Sequence, residues 1–131
     1  MKSISKRVFV PVLFSFVLFG CAHDAIRPVH DEVVTVSLPM DLTYLKTLEA
    51  VQKHPDWEID YTEKEQGLIH LRNLRYSSFA DADLRTATLV LKRIGPRETS
   101  VQLAPKSQTV VGGDEILKLI KEARPQEGGQ N

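Results

Sequence analysis

The 131-residue chain has one cysteine, at the end of Leu18-Phe19-Gly20-Cys21, directly after a basic start and an apolar run. Lys2, Lys6 and Arg7 supply the positive segment, and the twelve residues Val8 to Phe19 supply the apolar one. This is the layout of a bacterial lipoprotein signal peptide over residues 1–20. A membrane-spanning helix needs about 20 apolar residues, and twelve, interrupted by Pro11 and Ser15, fall short. Cleavage before Cys21 takes 20 residues out of the fold and leaves 111. That is enough for one hydrophobic core and too few for two ordinary domains.

Chemistry explains the cysteine. A thiolate is the nucleophile that can take a diacylglyceryl group as a thioether, so Cys21 is the expected lipid attachment residue. One acyl chain holds a protein to a bilayer only reversibly, and stable anchoring needs two or more. The chain is therefore expected to be anchored to the membrane and not to span it. With Cys21 acylated the mature part has no thiol, which excludes disulfides and cysteine catalysis. The signal carries three of the 17 basic residues and none of the 17 acidic ones, so the remainder has 14 against 17, a formal charge of −3. Nothing in that balance points to nucleic acid. The residue after the cysteine is Ala22 and not aspartate, which by analogy with Gram-negative sorting favours the outer membrane, facing the periplasm.

Residues 21–31 read as the lipidated cysteine and a tether, because Ala22 to Asp31 lacks periodic apolar positions and contains Pro28. Residues 32–124 read as one domain. Alternation of Val34, Val36 and Leu38 over Glu32 to Leu38 predicts a strand. Pro39-Met40-Asp41 then sets up a helix, with Asp41 as N-cap, Met40 stapled on Leu45, and a stripe of Tyr44, Leu45, Leu48 and Val51. Lys46, Glu49 and Lys53 fall opposite, and Pro55 ends the helix near His54. Trp57 to Tyr61 and Leu68 to Leu74 form a hairpin across Glu63 to Gly67. Its expected register sets Tyr61 on Ile69 and Ile59 on Leu71 inside, with Asp60 on His70 and Glu58 on Arg72 outside. A second hairpin brings Leu91 to Val101 and Leu89 to Leu103 around Gly95-Pro96. Asp114 is the expected N-cap of a last helix whose stripe is Ile116, Leu119, Ile120 and Ala123. Pro125 stops it, and residues 125–131 read as a disordered tail. The predicted fold class is α+β: strand, helix, four strands, helix, with two helices on one face of an antiparallel sheet.

The strand ending Val36-Ser37-Leu38-Pro39, the amphipathic helix, Trp57-Glu58-Ile59, Gly67-Leu68-Ile69 and Gly112-Gly113-Asp114-Glu115-Ile116-Leu117 together resemble small bacterial lipoproteins, over Glu32 to Arg124. The same segments are similar to the helix-grip domains of the assembly-machine lipoprotein BamC. That resemblance implies a scaffolding or accessory role at the outer membrane and brings no catalytic residues. The chain departs from it at Arg75 to Arg85, where the connection is longer than a tight hairpin.

Motifs for chemistry are sparse. The chain has no glycine-rich phosphate loop, no Gly-x-Ser-x-Gly elbow and no His-Glu-x-x-His helix, so no catalytic residue, metal or cofactor is expected. His23-Asp24 and His30-Asp31 could meet a transition metal, but a tether holds no rigid ligand geometry. Asp81 and Asp83 supply too few oxygens for calcium. The inferred Asp60–His70 pair could orient a general base, yet no serine is placed beside it, and a solvated cross-strand pair is the plainer reading. Trp57 and Tyr61 are expected in the core. Tyr76 and Phe79 lie in the long connection outside any periodic pattern, so they are the candidate partner-binding residues, the other reading being that Phe79 plugs the sheet. The sequence thus favours a non-enzymatic lipoprotein that meets the membrane through Cys21 and binds an envelope protein. The alternative is a periplasmic carrier of a lipid or small ligand, which needs a cavity of several hundred Å³; an enzyme would need a cleft joining His70 to a nucleophile.

Overall fold

A computed structural model describes residues 27–75 and 85–125. Strand β1 (Val33–Val36) leads to helix α1 (Met40–Gln52), then β2 (Trp57–Glu63), β3 (Leu68–Asn73), β4 (Thr86–Gly95), β5 (Glu98–Leu103) and helix α2 (Gly113–Glu122). All neighbouring strands are antiparallel, in the spatial order β1-β5-β4-β3-β2. This is the expected α+β arrangement, strand, helix, four strands, helix. Alternation accounts for the sheet's inner face: Val34, Val101 and Leu91 share one row, and Ile69, Leu89 and Leu103 the next. All six are buried together with Val36, Leu71, Ala87 and Trp57 of the sheet and with Val51 of α1 and Ile116 and Ile120 of α2. The second hairpin has the predicted register, Leu91 on Val101 and Leu89 on Leu103.

Both helices start earlier than expected, and neither has a side-chain cap. Pro39 is the N-cap of α1 and Gly112 that of α2, so Asp41 and Asp114 stand within the first turns. There a carboxylate is favoured by the helix dipole without acting as a cap. The buried stripe of α1 is Thr43, Tyr44, Thr47, Ala50 and Val51, rotated away from Leu45, which is 57% exposed. Two threonines can occupy the core side because their hydroxyls bond locally: Thr47 Oγ1 donates to the Thr43 carbonyl at 2.8 Å and Thr43 Oγ1 to the Leu38 carbonyl at 3.3 Å. Such bonds satisfy the hydroxyl without an outside partner. Leu48 and Ile59 pack against the core half-buried. In α2 the buried residues include Leu117 beside Ile116 and Ile120, while Leu119 is only partly covered.

Two glycines shape the ends of the sheet. Gly67 closes the β2–β3 turn at φ +69°, and a Cβ there would run into the Leu91 carbonyl and the Met40 methyl group. Gly112 enters α2 at φ +81°, where a Cβ would come within 3.2 Å of the Trp57 ring. Both positions need the left-handed backbone that glycine adopts without penalty.

Candidate functional site

The helices cover one face of the sheet and leave the other open. Its central row runs across all five strands as Glu63, Leu68, Val90, Gln102 and Val33, and the next contains Tyr61, His70 and Thr88. Strict alternation predicts Tyr61 in the core opposite Ile69, and Asp60 opposite His70. The structure overturns both, because β2 carries a bulge between Ile59 and Tyr61. A bulge places one extra residue in the strand, and everything beyond it changes face. Glu58–Arg72 and Ile59–Leu71 pair as expected, Asp60 is the extra residue, and Tyr61 falls opposite His70. Edge strands commonly carry such irregularities, which discourage pairing with another chain.

His70 is the centre of the polar part of this face. The Tyr61 ring stacks on its imidazole with centroids 3.9 Å apart and planes 14° from parallel. Nδ1 shares a 3.0 Å hydrogen bond with Thr88 Oγ1, and Nε2 lies 3.8 Å from Glu63 Oε1. At that separation Nε2 makes no hydrogen bond and is buried without a partner among the described residues; the contact becomes an ion pair when His70 is protonated. The order carboxylate, imidazole, hydroxyl has the components of a proton relay. Three of the clefts among the described residues lie elsewhere: one of about 350 Å³ between α1 and α2, one of about 450 Å³ at the β4–β5 turn, and one of about 480 Å³ between residues 29–32 and α2. The first and last are lined by Glu49 and Leu119, and by His30 and Lys118. All three are open grooves away from His70.

The open face also carries the Glu58–Arg72 ion pair, in which Arg72 donates from Nε at 2.7 Å and through Nη2. The Glu58 hydrogen bond, then its charge, holds the guanidinium pKa above its ordinary value. Cys21, Tyr76, Phe79, Asp81, Asp83, His23 and Asp24 lie outside the described residues. The flanks of the long connection are located: Arg75 pairs with Asp56 and lies 3.6 Å from Glu115. Among the described residues no group of three or more His, Cys, Asp or Glu side chains could hold a metal, and no helix is long and apolar enough to cross a membrane.

No protein-family model and no curated protein matches the chain. Among solved structures, the Zhui aromatase/cyclase from Streptomyces sp. R1128 is similar with a TM-score of 0.31 and 16% identity, over 71% of this chain and 81% of that one. A likeness that slight carries no information on activity.

Proposed function

We propose that the protein is a membrane-anchored bacterial lipoprotein whose domain binds another protein of the cell envelope and catalyses no reaction. The observation that carries the anchor is the lone cysteine, set after a basic segment and a twelve-residue apolar run. The resemblance to small lipoproteins supports it, and Ala22 favours the outer membrane, facing the periplasm. Binding is supported by the open sheet face, where Tyr61 and Val33 are about half exposed beside Leu68, Val90 and Gln102. An apolar patch interleaved with polar groups on an otherwise charged surface is a usual place for a partner. The connection carrying Tyr76 and Phe79 is the second candidate surface.

The experiment is fractionation and crosslinked capture of the full chain from envelopes. Cys21→Ser should leave the membrane fraction or remain uncleaved. A Tyr61→Ala, Val33→Ser double variant should keep its unfolding midpoint and lose the captured partner, whereas loss only in Tyr76→Ala, Phe79→Ala would move the surface to the connection. A partner retained by both variants would overturn both candidate surfaces and place the binding surface elsewhere, and no partner captured by the parent protein would end the binding reading.

One observation favours a small-ligand carrier instead: Tyr44 Oη and Trp57 Nε1 are buried in the core with no hydrogen-bond partner among the described residues. Neither residue lines a cleft found among the described residues, so a polar ligand satisfying both groups would have to open the core, and Tyr44→Phe should then weaken its binding.

A further inference from the structure

Granting the anchor at Cys21, on which this inference rests, the side of the domain that meets the bilayer follows from where the chain is first pinned. His30 stands nine residues after Cys21. Its backbone N–H donates to the Gln108 carbonyl at 2.7 Å. Its imidazole lies against Gly113, where a Cβ would come within 2.9 Å of the ring. Two residues on, Glu32 meets Lys121 at 2.6 Å. The chain is therefore fixed to the domain from His30 onward, so at most the residues between Cys21 and His30 separate an acylated Cys21 from the domain. A flexible segment of nine residues reaches roughly 17 Å on average and about 32 Å when fully extended. The ten residues of β4, at about 3.3 Å each, span roughly 33 Å. The average reach is about half the length of β4, which favours the Gly112-Gly113 end near the lipid, with the β4–β5 hairpin at the other end of the domain.

That near end is apolar. Val29, Leu74 and Val111 are among the exposed large hydrophobic residues, and their neighbours meet at the Gly112-Gly113 turn. Val29 precedes His30, which sits on Gly113; Val111 precedes Gly112, which lies beside Trp57 and Asn73; Leu74 follows Asn73. The acids Asp56 and Glu115 of this end face Arg75. The exposed Asp31 and Asp114 are matched in number by the exposed Arg27 and Lys106. These groups sum to one net negative charge, four acids against three bases, so the three exposed apolar side chains of this end meet an anionic bilayer with little repulsion. At the opposite end Ile94 stands among Arg93, Arg97 and Glu98.

We propose that the end built around the Gly112-Gly113 turn is a lipid-contact face: Val29, Val111 and Leu74 enter the headgroup region, and the strands stand away from the bilayer. The open sheet face then remains accessible to a partner.

The mature protein holds no thiol besides the acylated Cys21, so an introduced cysteine can be labelled selectively. Lipidated Leu74→Cys, Val111→Cys and Ile94→Cys proteins, each carrying an environment-sensitive fluorophore, are reconstituted into phosphatidylethanolamine and phosphatidylglycerol vesicles containing spin-labelled lipid. The labels at positions 74 and 111 should lose fluorescence to the spin label, and that at position 94 should not. Equal quenching at all three, or stronger quenching at position 94, in a protein that floats with the vesicles overturns the orientation while leaving the anchor intact. Shielding of positions 74 and 111 in native envelopes but not in pure lipid assigns this end to a protein and also overturns the proposal. A protein whose mass lacks acyl chains removes the anchor reading, and this inference with it.

Discussion

The two faces of the sheet are made from the same strands and obey different rules. On the covered face β1, β3, β4 and β5 alternate to build a mainly apolar layer, with Asn73 and Thr99 as buried polar members, and Ile69, Leu89, Val101 and Leu103 are wholly buried. On the open face one extra residue in β2 decides which side chains meet, and Tyr61 is 52% exposed against His70. Position by position, the covered face is determined by volume and the open face by register.

The largest expected effect lies on the covered face. Leu89→Ala should cost about 2–5 kcal/mol in denaturant unfolding, the usual range for truncating a buried leucine. Leu45→Ala, on the exposed flank of α1, should change stability by about 0.5 kcal/mol or less. Equal losses would mean that Leu45 also packs into the core and that α1 is rotated from the phase described above. Next comes Gly67→Ala: forcing a side chain into a left-handed conformation costs roughly 1–2 kcal/mol, and the collision with the Leu91 carbonyl adds to it. A midpoint unchanged in this variant would contradict the close approach of the β2–β3 turn to β4.

Deletion of Asp60 separates the bulged register from the regular one. With the bulge, removal leaves Ile59 on Leu71 and Tyr61 on His70, so the loss should stay near 1 kcal/mol or below, as for a surface change. In the regular register the deletion would throw Tyr61 from the core to solvent and cost several times more. Tyr44→Phe should be neutral or stabilising by about 1 kcal/mol, since it removes a buried hydroxyl without a partner among the described residues. The smallest effect concerns Glu49 on α1, whose pKa is lowered by its hydrogen bond to Lys53 and by the Lys53 charge. A depressed carboxyl pKa stabilises the fold above the ordinary glutamate range, and that contribution is lost as pH falls through the lowered value. Glu49→Gln should therefore lower stability slightly at neutral pH and leave it unchanged in strong acid, as thermal melts at the two pH values would show.

Legibility in the sequence follows the same division. Strand alternation and the Gly95-Pro96 turn suffice for the fold class and for the β4–β5 register. The α1 stripe comes out misphased from periodicity because leucine counts as inward and threonine as outward. Thr43 and Thr47 instead satisfy their hydroxyls locally and fill the core side. Aspartates are the obvious helix caps by residue type, whereas Pro39 and Gly112 begin the helices by backbone conformation alone. The bulge at Asp60 leaves no compositional trace, since Trp57 to Tyr61 alternates strictly and supports the wrong pairing equally well. Of the open face, only the Glu58–Arg72 pair is legible from pattern, because it precedes the bulge. His70, Thr88, Glu63 and Tyr61 come together only once that residue is counted.

The proposed anchoring at Cys21 underlies both the envelope role and the orientation at the membrane, so the decisive observation is the intact mass of the protein purified from membranes, with fragmentation of its N-terminal peptide. A lipoprotein should yield a chain that begins at Cys21 and carries a diacylglyceryl thioether on the sulfur, with a further acyl group on the new amine if the host adds one. A chain that retains residues 1–20, or an unmodified Cys21 thiol in protein that still sediments with membranes, would contradict it.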